Sequence, residues 1–142
     1  ILAGGALPQY EKAVGKARLV EAISALKAIT DAQEVFYMAN GQYTDDLTLL
    51  DIDVDPDGKY FRYNCTALGG AMVRTCIAVP KSLQDYPTIE FHLLNFGTES
   101  NRGKHWCQVN GRPTLDKPRG LCKAVGRLDP DYSSGNYYLI AQ

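Results

Sequence analysis

The feature that most constrains this chain is a long stretch near its start, residues 7–40, in which apolar side chains recur at helical spacing. Wound at about 100° per residue, the stretch gathers one apolar face, which consists of Leu19, Ala22, Ile23, Leu26, Ile29, Phe36 and Tyr37. The opposite face is charged and carries Lys16, Lys27, Asp31 and Glu34. The pattern predicts one amphipathic helix, about 50 Å long, that ends at Asn40-Gly41. A compact domain of this size has a radius of gyration of about 14 to 15 Å, so we expect one helix end to protrude and to pack against something outside the chain.

Beyond residue 59 the hydrophobic period changes to that of a strand. Alternating apolar residues predict strands over residues 60–66, 72–79 and 88–96, and residues 137–140 could form a fourth. The first two are expected to join at Gly69-Gly70. Three to four antiparallel strands packed on one helix give an α+β fold in two layers.

The chain is expected to form a single domain with four successive parts. These are a helical spine, an acidic connecting loop, an antiparallel sheet and a C-terminal region, over residues 1–40, 41–58, 59–96 and 97–142. The last part is polar and rich in turn-forming residues, with turns expected at 110–113, 117–120 and 129–131.

Charge is distributed in two blocks, although the formal net charge is only −1. Residues 45–57 hold six aspartates and no base, whereas residues 101–127 hold seven bases and one acid. The small net charge argues against a nucleic-acid binder that relies on bulk positive charge, and we expect no sequence-specific nucleic-acid partner. The blocks could face each other within the fold, could join neighbouring subunits, or could be two solvated loops.

The four cysteines allow three pairings. Sequential pairing is the economical choice, because Cys65 and Cys76 would face each other across a hairpin and Cys107 with Cys122 would close a loop of about 15 residues. Two disulfides indicate an oxidising compartment, while buried free thiols in a cytosolic protein are the alternative. Neither the cysteines nor the two histidines have the spacing of a zinc site.

The acidic loop contains half of a calcium-binding pattern. Asp53, Asp55 and Asp57, followed by Gly58, match D-x-D-x-D-G, but the twelfth position is Asn64 instead of the bidentate glutamate. An acidic turn is therefore favoured over a metal site. The sequence has no nucleophile elbow, phosphate-binding glycine loop or H-E-x-x-H motif, so we predict no enzymatic activity, catalytic residue or cofactor.

The order of these features resembles that of the bacterial type IV pilins. The most specific parts are Ala6-Leu-Pro-Gln-Tyr-Glu-Lys-Ala-Val14 and the Asn40-Gly-Gln-Tyr43 that follows the helix. Cys107 and Cys122 match the disulfide-bounded region of that family in position, and Cys65 with Cys76 is similar to a subgroup feature. The apolar run before Pro8 is too short to span a bilayer. Because the family's processing site and assembly glutamate are absent, we expect an apolar segment upstream of Ile1.

The resemblance implies a structural subunit that is anchored in the inner membrane before assembly and then polymerises into a helical surface filament. Its partners would be further copies of itself, the assembly machinery and minor pilins. The filament core would involve Leu7, Pro8, Tyr10 and Val14. Subunit contacts between the charge blocks would involve Asp53, Asp55, Asp57, Arg112, Lys117 and Arg119.

Two other functions are consistent with the same residues. A minor pilin or a type II secretion pseudopilin shares the fold but primes or tips a fibre. A secreted, disulfide-clipped binding module, potentially calcium-dependent, belongs to another class. The sequence does not choose among twitching motility, DNA uptake, adhesion and electron transfer as the use of the fibre.

Overall fold

One long helix lies across a single antiparallel sheet in the computed structural model, which describes residues 6–66, 73–95, 101–109, 116–132 and 134–141. The helix α1 spans Ala6–Asn40, and a short 3₁₀ helix follows at Leu47–Leu49. The strands are β1 (Phe61–Thr66), β2 (Thr75–Pro80), β3 (Thr88–His92), β4 (His105–Gln108), β5 (Gly126–Leu128) and β6 (Tyr137–Ile140). A second helix, α2 (Asp116–Val125), precedes β5. Neither helix in the described residues is long and apolar enough to cross a membrane.

The six strands are ordered β1-β2-β3-β4-β6-β5, and each neighbouring pair is antiparallel. The α+β class and the predicted strand at 137–140 are confirmed, but the expected three to four strands were too few. β4 and β5 are four and three residues long, so neither shows enough alternation to be recognised. β5 also begins at Gly126, where an added Cβ would clash with the Leu139 carbonyl oxygen, so the close approach to β6 requires glycine.

The turn predicted at residues 117–120 was wrong, because these residues lie in α2. Pro118 and Gly120 suggested a turn, yet Pro118 stands in the first helical turn, where its missing N–H costs nothing. Asp116 at the start and Lys123 near the end complement the helix dipole. The expected turns at 69–70 and 110–113 lie outside the described residues, as does Arg112.

The apolar face predicted for α1 covers the sheet. Leu19, Ala22, Leu26 and Ile29 are buried in the core, and Ile23 and Phe36 pack against it. Gln33, a fully buried polar residue, binds both backbone groups of Thr44 through its amide and so fixes the chain after the helix.

Glu34 is not part of a solvated face, as the helical pattern suggested. Its carboxylate accepts hydrogen bonds from the Tyr43 hydroxyl (2.9 Å), the Leu94 N–H (3.0 Å) and the Asn95 amide (3.2 Å). It thereby ties α1 to the chain that leaves β3. Burial, followed by smaller contributions that include Glu34, raises the pKa of Tyr43 to about 12.

Both disulfides of the sequential pairing are present in the structure. Cys65 and Cys76 lie directly opposite each other on β1 and β2, with their Cα atoms 4.0 Å apart. Cys107 on β4 bonds to Cys122 on α2, with a Cα–Cα distance of 5.4 Å. The second bridge holds α2 on the same side of the sheet as α1. Leu121 of α2 lies beside Gly15 of α1, where an added Cβ would be 3.5 Å from the Leu121 Cδ2 atom.

Candidate functional site

Two basic side chains meet at the β1 edge of the sheet. The antiparallel register places Phe61 opposite Pro80, and the Lys81 N–H donates to the Tyr60 carbonyl (2.9 Å), so Arg62 and Lys81 become neighbours. Both cations contact the same carboxylate oxygen, Oδ1 of Asp57, at 3.3 Å from Arg62 Nε and 2.9 Å from Lys81 Nζ. We call these three residues the β1-edge basic site.

The backbone of the acidic loop holds Asp57 beside β1. The Tyr63 N–H donates to the Pro56 carbonyl (2.9 Å), and Asp57 forms an isolated antiparallel bridge with Arg62. The Asp57 N–H in turn donates to Oδ1 of Asp55 (2.9 Å). Lys81, followed by Arg62, holds the pKa of Asp57 below its ordinary value, so the carboxylate is charged at neutral pH. Because all three side chains reach solvent, an external anion can approach the two cations.

Within the described residues, no ion pair joins the acidic block to the basic block. Asp46 caps the short 3₁₀ helix, and Asp57 pairs with Arg62 of β1 and with Lys81, which directly follows β2. Among the basic block, Lys117 pairs with Asp85 (3.4 Å), and Lys104 pairs with Asp129 (3.2 Å) and Asp131 (2.9 Å). The alternative in which the two blocks face each other inside one subunit therefore finds no support in these contacts.

The three aspartates of the half calcium pattern do not converge on one point. Asp53, Asp55 and Asp57 are all exposed, and the Asp57 carboxylate is directed at Arg62 and Lys81. In the part of the chain that the structure describes, no group of three or more His, Cys, Asp or Glu side chains could hold a metal ion.

Arg119, predicted as a subunit contact, is used inside the fold. Its guanidinium donates to the Gly135 carbonyl (3.1 Å) and to the Tyr138 hydroxyl (3.0 Å), which connects α2 to the segment that enters β6. Lys117, in contrast, has an exposed side chain. Tyr10 and Val14 line a groove between α1 and α2, which Leu121 also borders. The backbone of Leu7 and Pro8 lies in α1, but their side chains are outside the described set.

A second polar cluster, which no sequence pattern predicted, lies on the sheet face that is turned away from α1. Trp106 is only 2% exposed there, and its indole N–H donates to Oδ2 of Asp129 (2.9 Å). Lys104 bridges Asp129 and Asp131, while the rings of Tyr132 and Tyr137 meet Trp106 edge-on. We call these six residues the Trp106 cluster. The one sequence signal was Asp129-Pro-Asp131, which indicated only a turn.

Opposing effects act on the buried acid of the Trp106 cluster. Burial by itself would raise the pKa of Asp129, yet hydrogen bonds from the Asp131 N–H, Trp106 and Lys104 hold that pKa below its ordinary value. Hydrogen bonds and charges from Asp131 and Asp129 outweigh desolvation and raise the pKa of Lys104. Asp129 and Lys104 are thus both charged at neutral pH, and the buried ring of Trp106 offers no open face on which a ligand could stack.

One comparison with known proteins gave a match. Residues 8–86, more than half of the chain, match the family model described as type IV minor pilin ComP, DNA uptake sequence receptor. The matched segment contains α1 from residue 8 onward, β1 and β2, and it includes the complete β1-edge basic site. No match was found among curated proteins or among solved structures.

Proposed function

The chain belongs to the type IV pilin family, and we propose that it is a minor subunit of a type IV pilus that binds DNA at the fibre surface. The family is structural, and its members are pilus subunits. The observation that carries the finer proposal is the match to a DNA uptake sequence receptor over the segment that holds Arg62 and Lys81. This favours the minor-pilin alternative over the major filament subunit expected from the resemblance.

The β1-edge basic site supports DNA binding through the phosphate backbone. Arg62 and Lys81 present two cations side by side on an exposed sheet edge, and such cations bind phosphates by releasing the counterions condensed on DNA. Phosphate contacts of this kind fix the position of the protein on the duplex, whereas base contacts supply sequence preference. The two residues would therefore supply positioning and affinity.

This proposal adds DNA as a partner, whereas the sequence led us to expect no sequence-specific nucleic-acid partner. That expectation depended on the formal net charge of −1. A sum over the whole chain does not describe one surface, because salt largely screens the interaction between exposed charges that lie farther apart than the Debye length, about 8 Å in physiological salt. Local arrangement decides whether a duplex can bind.

Assembly would follow the family pattern. We propose that the subunit is anchored in the inner membrane before assembly and joins other pilins in a surface fibre, with Leu7, Pro8, Tyr10 and Val14 near the filament core. The contact between the acidic loop, at Asp53 and Asp55, and the basic residues Arg112 and Lys117 of a neighbour stays a prediction. Because Arg119 holds β6 in place, its reversal to Glu would damage the monomer, so Lys117→Glu alone is the better test of that contact.

Fluorescence anisotropy with a labelled duplex of mixed sequence tests DNA binding, over a series of salt concentrations. We expect Arg62→Ala to weaken binding about threefold to tenfold and to lower the slope of log K against log salt by about one, the effect of one lost phosphate contact. Lys81→Ala should act similarly. Lys117→Ala is the matched control, since its side chain is 69% exposed, as is that of Arg62, and it lies outside the segment matched by the family model.

Two results would contradict the proposal. Absence of salt-dependent binding by the wild-type chain would remove DNA as the ligand. An equal loss in all three variants would mean that binding reflects diffuse charge instead of the β1 edge. The proposal that this chain is a minor subunit is tested separately. Mass spectrometry of sheared fibres measures the relative amount of each subunit, and this chain should be a small fraction of the fibre protein.

A further inference from the structure

We propose that Asp57 is an internal competitor for DNA phosphate, which occupies the cations of the β1-edge basic site until a duplex displaces it. The inference rests on the proposed DNA binding and concerns the regulation of that same site. A polyanion would have to bind Arg62 and Lys81 more strongly than Asp57 does before it could occupy the site.

The contact geometry is that of a phosphate mimic. A single oxygen of Asp57 accepts from Lys81 Nζ at 2.9 Å and lies 3.3 Å from Arg62 Nε. A phosphate oxygen at the same point would accept from the same two donors, because carboxylate and phosphate oxygens have similar charge and hydrogen-bonding capacity. Both anions cannot occupy that point together, so binding of one excludes the other.

The backbone keeps the competitor in reach without fixing its side chain. The Tyr63 N–H to Pro56 carbonyl bond (2.9 Å) and the Asp57 N–H to Asp55 bond (2.9 Å) anchor the loop. The chain then returns to β1 through Gly58, where an added Cβ would lie 2.9 Å from the Phe61 carbonyl oxygen. Glycine therefore permits the close turn. The Asp57 carboxylate itself is exposed, so it can rotate away when the cations find another partner.

The strength of the contact suits displacement. Ion pairs between exposed side chains are weak, because water screens them and both side chains lose conformational freedom. A duplex offers several phosphates at once and gains entropy from released counterions, so it can replace a single carboxylate. A small monovalent anion gains neither advantage. The site would thus resist ordinary anions and admit DNA.

The test compares Asp57→Asn with wild type in the anisotropy assay described above. The variant keeps the side-chain shape but removes the charge, and we expect it to bind the mixed-sequence duplex about twofold to fivefold more tightly. The salt slope should also steepen, because in wild type the ion pairs of Asp57 that DNA must break are themselves stronger at low salt and offset part of the salt dependence. Asp53→Asn is the matched control: it removes the same charge from the same loop, and the described part of the chain shows no ion pair for Asp53.

A double-mutant cycle separates competition from general charge repulsion. Added to Arg62→Ala and Lys81→Ala together, Asp57→Asn should no longer strengthen binding, because the cations that it would release are absent. Asp57→Ser, a second uncharged variant, guards against an effect peculiar to asparagine. Thermal unfolding of each variant checks that the fold is retained.

The outcomes distinguish this inference from the function on which it rests. If wild type binds DNA and Arg62→Ala weakens binding, but Asp57→Asn has no effect or matches Asp53→Asn, the competitor role is wrong and DNA binding stands. An enhancement that persists without Arg62 and Lys81 also overturns it. If wild type fails to bind DNA, the proposed function falls and the inference falls with it.

Discussion

The face of the sheet that contacts α1 is filled with apolar side chains, whereas the opposite face is built from directed polar contacts. Buried residues on the first face include Ala78, Ile89, Phe91, Cys107 and Tyr138. On the second, Trp106 is equally buried, but it is surrounded by the ionised groups of Asp129 and Lys104. Strands β3 and β4 contribute to both faces through alternate residues.

Burial alone therefore does not identify the apolar core. Apolar contacts tolerate small shifts, and their strength scales with the area removed from water. A buried carboxylate is stable only while each of its partners is present, because an unpaired charge away from water is costly. Loss of side-chain volume should therefore destabilise the α1 side of the sheet, whereas loss of a hydrogen-bond or ion-pair partner should destabilise the opposite side.

The largest expected effect belongs to the apolar face. Leu26→Ala removes a fully buried side chain between α1 and the sheet and should lower the free energy of unfolding by about 2.5 to 5 kcal/mol. Urea denaturation followed by circular dichroism measures this change. Val35→Ala, on the same helix but 62% exposed, should cost less than about 0.5 kcal/mol. Equal losses would mean that α1 is not held by this face.

The opposite face should respond to the loss of one polar partner. Asp129→Ala leaves the Trp106 indole N–H and Lys104 without their shared acceptor, and we expect a loss of about 2 to 4 kcal/mol in urea denaturation. Asp131→Ala is the control, since Asp129 is 0% and Asp131 68% exposed; it should cost less than about 1 kcal/mol. If Asp129→Ala were as mild, the Trp106 cluster would be held by its rings alone.

A histidine on the α1 side should make that face sensitive to pH. His105 stacks on Phe91 with ring centroids 3.6 Å apart, and burial, assisted by the charge of Lys27, lowers its pKa from 6.5 to about 4. As pH falls, His105 of the unfolded chain binds a proton near pH 6.5, whereas His105 of the folded chain binds it only near pH 4. The free energy of unfolding therefore decreases as pH falls between these two pKa values. Because part of the ring reaches solvent, we expect a loss of about 1 to 2 kcal/mol.

Urea denaturation at pH 7 and pH 5 measures this dependence. Both values lie above the range in which most carboxylates titrate, so these groups contribute little to the difference. His105→Phe keeps the ring stack and should lose less stability between the two values than wild type does. Lys27→Met should lose less stability between the two pH values than wild type does, since it removes one cause of the lowered His105 pKa. Identical pH profiles for wild type and His105→Phe would show that protonation of His105 does not cause the pH dependence of stability.

The sequence predicted what depends on local periodicity. The apolar face of α1, the helix stop at Asn40-Gly41 and the first three strands all come from patterns within short windows. The strand bounds differ, since β2 begins at Thr75 and β3 ends at His92. Strand ends depend on where the partner strand stops pairing, which no local pattern contains.

What escaped prediction depends on contacts between distant residues. Arg62 and Lys81 become neighbours only through the register of β1 and β2. Trp106 meets Asp129 only because β6 inserts between β4 and β5. In α2, Pro118 suggested a break because a proline in the first helical turn cannot be recognised until the start of the helix is known.

The positions of the four cysteines have a kinetic consequence. Each cysteine side chain is at most 2% exposed, and a thiolate must reach a sulfur atom directly to break a disulfide. Reduction therefore has to wait until β1 separates from β2, or α2 from β4. The rates at which a reductant opens the two bridges would therefore measure these two local opening motions separately.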